Sequence, residues 1–344
     1  MRKLIITALI LLLIVGCSQS AQTSNSTTTK PTNETTDSKL QVGVGSVTEW
    51  DEMNDAGEKD GSAQANTTIA ALVIKDGVIY DLDLDIAQNT GKFDSTGKNL
   101  TDPTTATPTK KELGDDYGMI VASSIKKEWY QQIEALEKYA VGKTVEEFLS
   151  TSLDSNEDLK TSVTLGIDNF LKAVENASKN LVEVENVASV GVASNTIIDN
   201  VSDAGEKNGT IRFNTAYALV ALDADGKVVY VDIDNAQNTA SFDATGKNTT
   251  DVNADNLTKT EKGDNYGMIV ASTINKEWYE QMASFEEYIV GKTIEEVLAT
   301  PTYVKDDEHQ AVPDSEDLKT SVTIDIADYV FVVEKASKNT IEIQ

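Results

Sequence analysis

The chain has 344 residues, 57 acidic against 29 basic, for a formal charge of −28 at pH 7. So acidic a surface repels nucleic acid and anionic membrane faces, which argues against both as partners and favours cations or basic protein patches. With one cysteine (Cys17) and one histidine (His309), a disulfide framework, an iron–sulfur cluster, a covalent haem and a His/Cys zinc site are excluded.

At the N-terminus, Arg2-Lys3 precedes an apolar run from Leu4 to Val15 that only Thr7 interrupts. The run is too short to span a bilayer as a mature helix and has the layout of a cleaved signal, residues 1–16. Ile14-Val15-Gly16-Cys17 reads as the lipobox of bacterial lipoproteins, with Cys17 lipidated and first in the mature chain. The expected location is the extracytoplasmic face of the cell membrane, lipid-anchored. Residues 17–40 are dense in Ser, Thr, Asn and Gln. They cannot offset their ordering entropy by burial and are expected to form a flexible, disordered tether. Once Cys17 is acylated no thiol remains, and a Ser-His-Asp triad would need His309. That residue lies in Asp306-Asp307-Glu308-His309-Gln310 and is read as a solvated loop residue.

The remaining residues, about three hundred, suffice for two domains, and they repeat. Val42-Gly43-Val44 returns as Val190-Gly191-Val192, and Asp55-Ala56-Gly57-Glu58-Lys59 as Asp203 to Lys207. Ala87 to Thr90 returns as Ala236 to Thr239, Tyr117 to Ser123 as Tyr266 to Ser272, and Lys127 to Tyr130 as Lys276 to Tyr279. The second copy carries an insertion around Tyr303 to Val312. A period this long implies tandem globular domains rather than a solenoid, with boundaries at 41–182 and 187–344.

Each copy predicts the same elements in the same order. Ile69 to Ile74, Asp76-Gly77 and Val78 to Leu84 predict a hairpin, as do Ala216 to Leu222, Asp225-Gly226 and Val228 to Ile233. Asp81-Leu82-Asp83-Leu84-Asp85 lacks the glycine and distal glutamate of a calcium loop and fits a half-exposed strand. Tyr117 to Ser123 is expected as a buried strand whose glycine would let a ligand approach the backbone. Ile125, Trp129, Ile133 and Leu136, and Ile274, Trp278, Met282 and Phe285, mark the apolar stripe of a helix. On that stripe both tryptophans are core residues, while Tyr130 and Tyr279 fall off it. Gly142-Lys143-Thr144 and Gly291-Lys292-Thr293 lack the earlier glycine of a phosphate loop, since Glu137 and Glu286 hold its place. They read as a helix break followed by a threonine N-cap. Strands first and helices after predict an α+β fold.

Asp158-Leu159-Lys160-Thr161-Ser162-Val163-Thr164 recurs letter for letter as Asp317 to Thr323. Each heptad precedes a helix whose stripe is Ile167, Phe170, Leu171, Val174 or Ile326, Tyr329, Val330, Val333. Between those stripe positions the two helices differ almost completely. N-capping by Thr161 or Thr164 is the simplest structural role, but capping needs one hydroxyl residue and not seven fixed letters. The heptad resembles the acceptor motif of FMN-binding domains that carry covalent FMN, Asp-x-x-Ser/Thr-Gly-Ala-Ser/Thr. Here Ser162-Val163 and Ser321-Val322 stand where the common pattern has Gly-Ala.

The resemblance implies two FMN-binding-type domains, with Thr164 and Thr323 as the phosphoester threonines. Asp158, Thr161, Asp317 and Thr320 complete the motif. A hydroxyl at a helix start would set the phosphoryl charge against unpaired N–H groups and the positive end of the helix dipole. The layout of lipobox, tether and two repeats resembles exported lipoproteins of extracellular electron transfer. It implies a flavin transferase as partner, a membrane quinol-linked donor, and soluble acceptors such as ferric iron. The chain is then an electron carrier more than an enzyme, with ferric reduction as its activity and no catalytic side chain assigned. The competing reading is a non-redox ligand-binding or adhesion lipoprotein; a third, compatible with either, is that the cleaved signal segment yields a peptide pheromone.

Overall fold

The computed structural model describes residues 40–344; the expected signal, Cys17 and all of the tether but Leu40 lie outside them. Leu40 opens a strand. Three long strands, β1 (Leu40–Asn54), β2 (Gly61–Lys75) and β3 (Val78–Phe93), are followed by α1 (Lys110–Leu113), α2 (Trp129–Ala140) and α3 (Val145–Leu149). Then come α4 (Glu157–Lys160), α5 (Asp168–Lys179) and the short β4 (Val182–Val184). The chain then repeats the series: β5 (Ser189–Ser202), β6 (Gly209–Leu222), β7 (Val228–Phe242), α6 (Lys259–Lys262), α7 (Trp278–Ile289) and α8 (Ile294–Leu298). The insertion forms a two-stranded ribbon of β8 (Thr302–Tyr303) and β9 (Val312–Pro313), ahead of α9 (Ala327–Lys338) and β10 (Thr340–Glu342).

Two antiparallel four-stranded sheets result, ordered β3-β2-β1-β4 and β10-β5-β6-β7. The protein is therefore mixed α and β, with helices set after strands as expected. Asp76 and Gly77 both take positive φ in the two-residue turn that pairs Lys75 with Val78, the backbone that suits a tight hairpin. Strands β1 and β5 and the closing strands β4 and β10 were not legible. β4 and β10 are three residues each, and β1 and β5 carry glycines that dilute their strand signal.

One face of each sheet meets its own helices. Leu72, Leu84, Ile133, Phe170 and Val174 build that core in the first half, and Val220, Ile233, Met282, Tyr329 and Val333 in the second. The other faces pack against each other through Val42, Val44, Ile69, Val190, Tyr217 and Leu219. Ile69 to Ile74 of β2 and Ala216 to Leu222 of β6 are thus buried on both sides, which is why these stretches read as unbroken apolar runs. The described residues pack as one compact unit. Gly43 and Gly191 are required by helix approach: a Cβ there would lie 2.6 Å from Ala177 O or 2.2 Å from Ala336 O.

The repeated Asp-Ala-Gly-Glu-Lys segment clasps the opposite half. Asn248 N donates to Asp55 Oδ1 and Asn99 N to Asp203 Oδ1, both at 2.8 Å. Ala56 N donates to Gly246 O and Ala204 N to Gly97 O, both at 2.7 Å. Gly97 and Gly246 take φ of +75° and +72°, and a Cβ on either would press against backbone of the other half at 2.6–2.7 Å. Beneath the clasp Phe93 and Phe242 stack, with centroids 4.3 Å apart and planes 3° from parallel.

Candidate functional site

The heptad divides into buried and exposed positions. Leu159 and Val163, and Leu318 and Val322, are buried in the helix-side cores, so four of the fourteen letters are explained by packing. Asp158, Thr161 and Thr164 are exposed, as are Asp317 and Thr320, with Thr323 half-buried. The expected capping role is corrected. α5 begins at Asp168 with Ile167 at its N-cap and no side-chain cap, and α9 begins likewise after Ile326. Thr161 Oγ instead turns back to donate to Asp158 O at 2.8 Å. Thr164 lies in the connector between α4 and α5, short of the helix start where the dipole argument would place it.

What holds Thr164 is Gln132, wholly buried on α2. Gln132 Oε1 accepts from Thr164 N at 2.8 Å and Thr164 Oγ at 3.1 Å. Gln281 on α7 does the same for Thr323, at 2.8 and 3.2 Å. The amide nitrogens are spoken for: Gln132 Nε2 donates to Ser123 Oγ and Lys127 O, and Gln281 Nε2 to Ser272 Oγ and Lys276 O. A buried primary amide is costly unless its donors and acceptor are met, and here each meets two partners. Gln132 and Gln281 were missed from sequence. The signal was there, since the repeated Lys-Glu-Trp-Tyr stretch extends to both glutamines after one differing residue.

Ser123 ends the segment expected as a buried strand, and that expectation is also corrected. Tyr117 to Ser123 forms consecutive 3₁₀ turns around Gly118, which takes φ of +74°. Its amides find a carboxylate instead of a neighbouring strand. Glu128, 3% exposed, accepts from Met119 N at 2.8 Å and Ile120 N at 2.9 Å. Glu277 repeats this with Met268 N and Ile269 N. The pinned turn leaves Val121 at 83% and Val270 at 93% exposure, with Ile120 and Ile269 beside them at 44%. The segment that carries each exposed apolar pair is thus linked, through the serine at its end and one glutamine, to a motif threonine. α2 starts at Trp129 and α7 at Trp278, so Ile125 and Ile274 precede the helices whose stripes they were expected to join.

The other sites fall as follows. Trp129 and Trp278 are core residues, packed on Phe170 and Tyr329. Lys110 Nζ lies 5.0 Å from the Tyr117 ring centroid and 5.6 Å from Trp129; Lys259 holds the matching place over Tyr266 and Trp278. Burial lowers Lys259 to a pKa of about 8. Tyr130 and Tyr279 donate to Asp115 and Asp264. Thr144 and Thr293 cap α3 and α8 with Glu147 and Glu296, as expected. His309 sits in the ribbon loop, 2.6 Å from Asp306. Glu137 and Glu286 turn out to seal edge strands: their Oε1 atoms accept from Leu84 N and Ile233 N, each at 2.7 Å. No helix among the described residues is long and apolar enough to cross a membrane.

The motif threonines suit a phosphoryl group on two counts. Thr164 Oγ is reachable from solvent. The amides that follow it, Leu165 and Gly166, make no internal hydrogen bond among the described residues, nor do Ile324 and Asp325 after Thr323. Four free N–H groups beside two hydroxyls can satisfy anionic oxygens.

No family model matches the chain, and no solved structure does. Over 40 residues it is 55% identical to a chlorophenol reductase of Desulfitobacterium hafniense, a match covering 12% of either chain. The chain thus spans about an eighth of that relative's length, and so short a stretch assigns no activity to the remainder.

Proposed function

We propose that the chain is an extracytoplasmic electron carrier bearing two covalent FMN groups, esterified at Thr164 and Thr323, and tethered through lipidated Cys17. One observation carries this reading: in both halves a motif threonine, exposed at Thr164 and half-buried at Thr323 and not used as a helix cap, is held by a fully buried glutamine that also bonds the end of an exposed apolar turn. Bound FMN would supply one- and two-electron chemistry, which a chain with one cysteine and one histidine lacks. Gln132 and Gln281 orient the hydroxyl for phosphoester formation. A carboxamide oxygen is too weak a base to take its proton, so deprotonation falls to the flavin transferase. After esterification Oγ no longer donates, and the Thr164 N–H alone keeps the residue on Gln132. The Ile120-Val121 and Ile269-Val270 pairs offer an apolar surface for a planar ring. The charge of −28 draws cationic acceptors such as ferric iron, with electrons from a membrane quinol-linked donor.

Intact mass of the mature protein, made with and without a flavin transferase, tests this reading. The expected gain is two FMN groups less two waters, reduced to one group by Thr164→Ala and likewise by Thr323→Ala. An unchanged mass with active transferase present would sink the redox reading in favour of a ligand-capturing lipoprotein.

A further inference from the structure

The interface between the two sheets contains a cavity of about 400 Å³ whose lining includes Ile69, Asp85, Thr109, Lys111, Ser194 and Lys335. Its counterpart at the other end of the interface is occupied by a side chain of the protein itself. Ile69 pairs with Asp85 across β2 and β3, and Tyr217 pairs with Asp234 across β6 and β7 in the same register. The Tyr217 hydroxyl donates to Asp234 Oδ2 at 3.4 Å and accepts from Ser46 Oγ, on the opposite sheet, at 3.2 Å. Where the second half has this tyrosine, the first has isoleucine.

The polar groups that serve the Tyr217 hydroxyl persist around Ile69. Asp85 corresponds to Asp234. Ser194 corresponds to Ser46; it is 4% exposed, lines the cavity, and its Oγ meets no hydrogen-bond partner among the described residues. That hydroxyl opens onto the cavity and is available to the hydroxyl of a ligand seated there. Lys111 and Lys335 at the cavity correspond to Thr260 and Asn176. They are held by Asp83 and Glu112, which adds charge to the rim of the first site alone.

We infer that this cavity binds a small phenol or hydroquinone ring, seated beside Ile69, with its hydroxyl donating to Asp85 and accepting from Ser194, the two contacts that the Tyr217 hydroxyl makes in the other half. The inference does not depend on flavin. Its probe is 4-methylphenol, the tyrosine side chain as a free molecule, titrated into the full mature chain by calorimetry or by NMR. One saturable site is expected. Toluene, of the same shape without the hydroxyl, binds at least about tenfold more weakly, because the acceptor and donor go unmet. Asp85→Asn and Ser194→Ala each weaken 4-methylphenol several-fold. Ile69→Tyr removes the site by filling it, and Tyr217→Ile raises the stoichiometry from one to two. Thermal melts confirm that each variant is folded. Equal affinity for toluene, or a site that survives Ile69→Tyr in a folded protein, would overturn the inference.

Discussion

The edge strands β3 and β7 are sealed by the same bond and charged in opposite ways. In the first half, Glu137 on α2 caps the Leu84 amide, and Lys111 stands between Glu137 and Asp83 at 2.6 and 2.7 Å. In the second half, Glu286 on α7 caps the Ile233 amide beside Asp232, and the position of Lys111 is Thr260. Burial, with Asp232 adding repulsion, raises Glu286 to a pKa of about 8; burial, with Asp234 adding repulsion, raises Asp232 to about 7. The backbone bond is what the fold requires, and its electrostatic setting is free to diverge. A protected sheet edge needs an acceptor; burial raises Glu137 as well, to about 7, but there Lys111 pulls against the rise, whereas no cation opposes it at Glu286.

Four substitutions test this contrast. Lys111→Thr, which gives the first half the residue of the second, strands two carboxylates and is expected to cost about 3–5 kcal/mol at pH 8. The loss should shrink toward pH 5 as the acids take up protons. Chemical denaturation at the two pH values checks it, and equal losses would show that the pair is not what holds the edge.

Glu286→Gln works in the opposite direction. Folded-state pKa values above the unfolded ones mean that the native chain keeps protons the unfolded chain has released. Stability therefore falls as pH rises from about 4 to about 8. The amide retains an acceptor for Ile233 N and removes that penalty, so a gain of about 1–3 kcal/mol is expected above pH 8 and almost none at pH 4. The same change at Glu137 should destabilise, because Lys111 loses a partner. Matching signs from the two variants would break the comparison. The smallest effect belongs to Thr260→Lys, which gives the second half its missing cation. It should flatten the pH dependence between 5 and 8 and add about 1 kcal/mol at pH 8, read from melts across that range.

The hairpins, the helix stripes, the Thr144 and Thr293 caps and the core tryptophans were legible because each depends on neighbours close in the chain. Period and turn chemistry report such contacts directly. The motif threonines were legible as letters, but their setting was not. Thr164 is fixed by Gln132, and the Tyr117–Ser123 segment by Glu128, both through side chains rather than backbone periodicity. That segment read as a strand because Met-Ile-Val is apolar; a buried carboxylate taking its amides lets it turn outward. The divergence of Lys111 and Thr260 was printed in the sequence. It gained meaning only once Asp83 and Glu137 were found on either side of that lysine.

The clasp between the halves has a consequence for where this architecture begins. Asp55 holds Asn248 as Asp203 holds Asn99, Ala56 meets Gly246 as Ala204 meets Gly97, and Phe93 lies flat on Phe242. Each of these contacts is returned by its own counterpart, which is the signature of an isologous interface. A chain carrying one half would bear both sides of this contact on a single surface, and two copies would close on each other as a symmetric dimer. The present chain has the layout of that dimer written as one polypeptide, in which Ile69 and Tyr217, or Lys111 and Thr260, need not be the same residue.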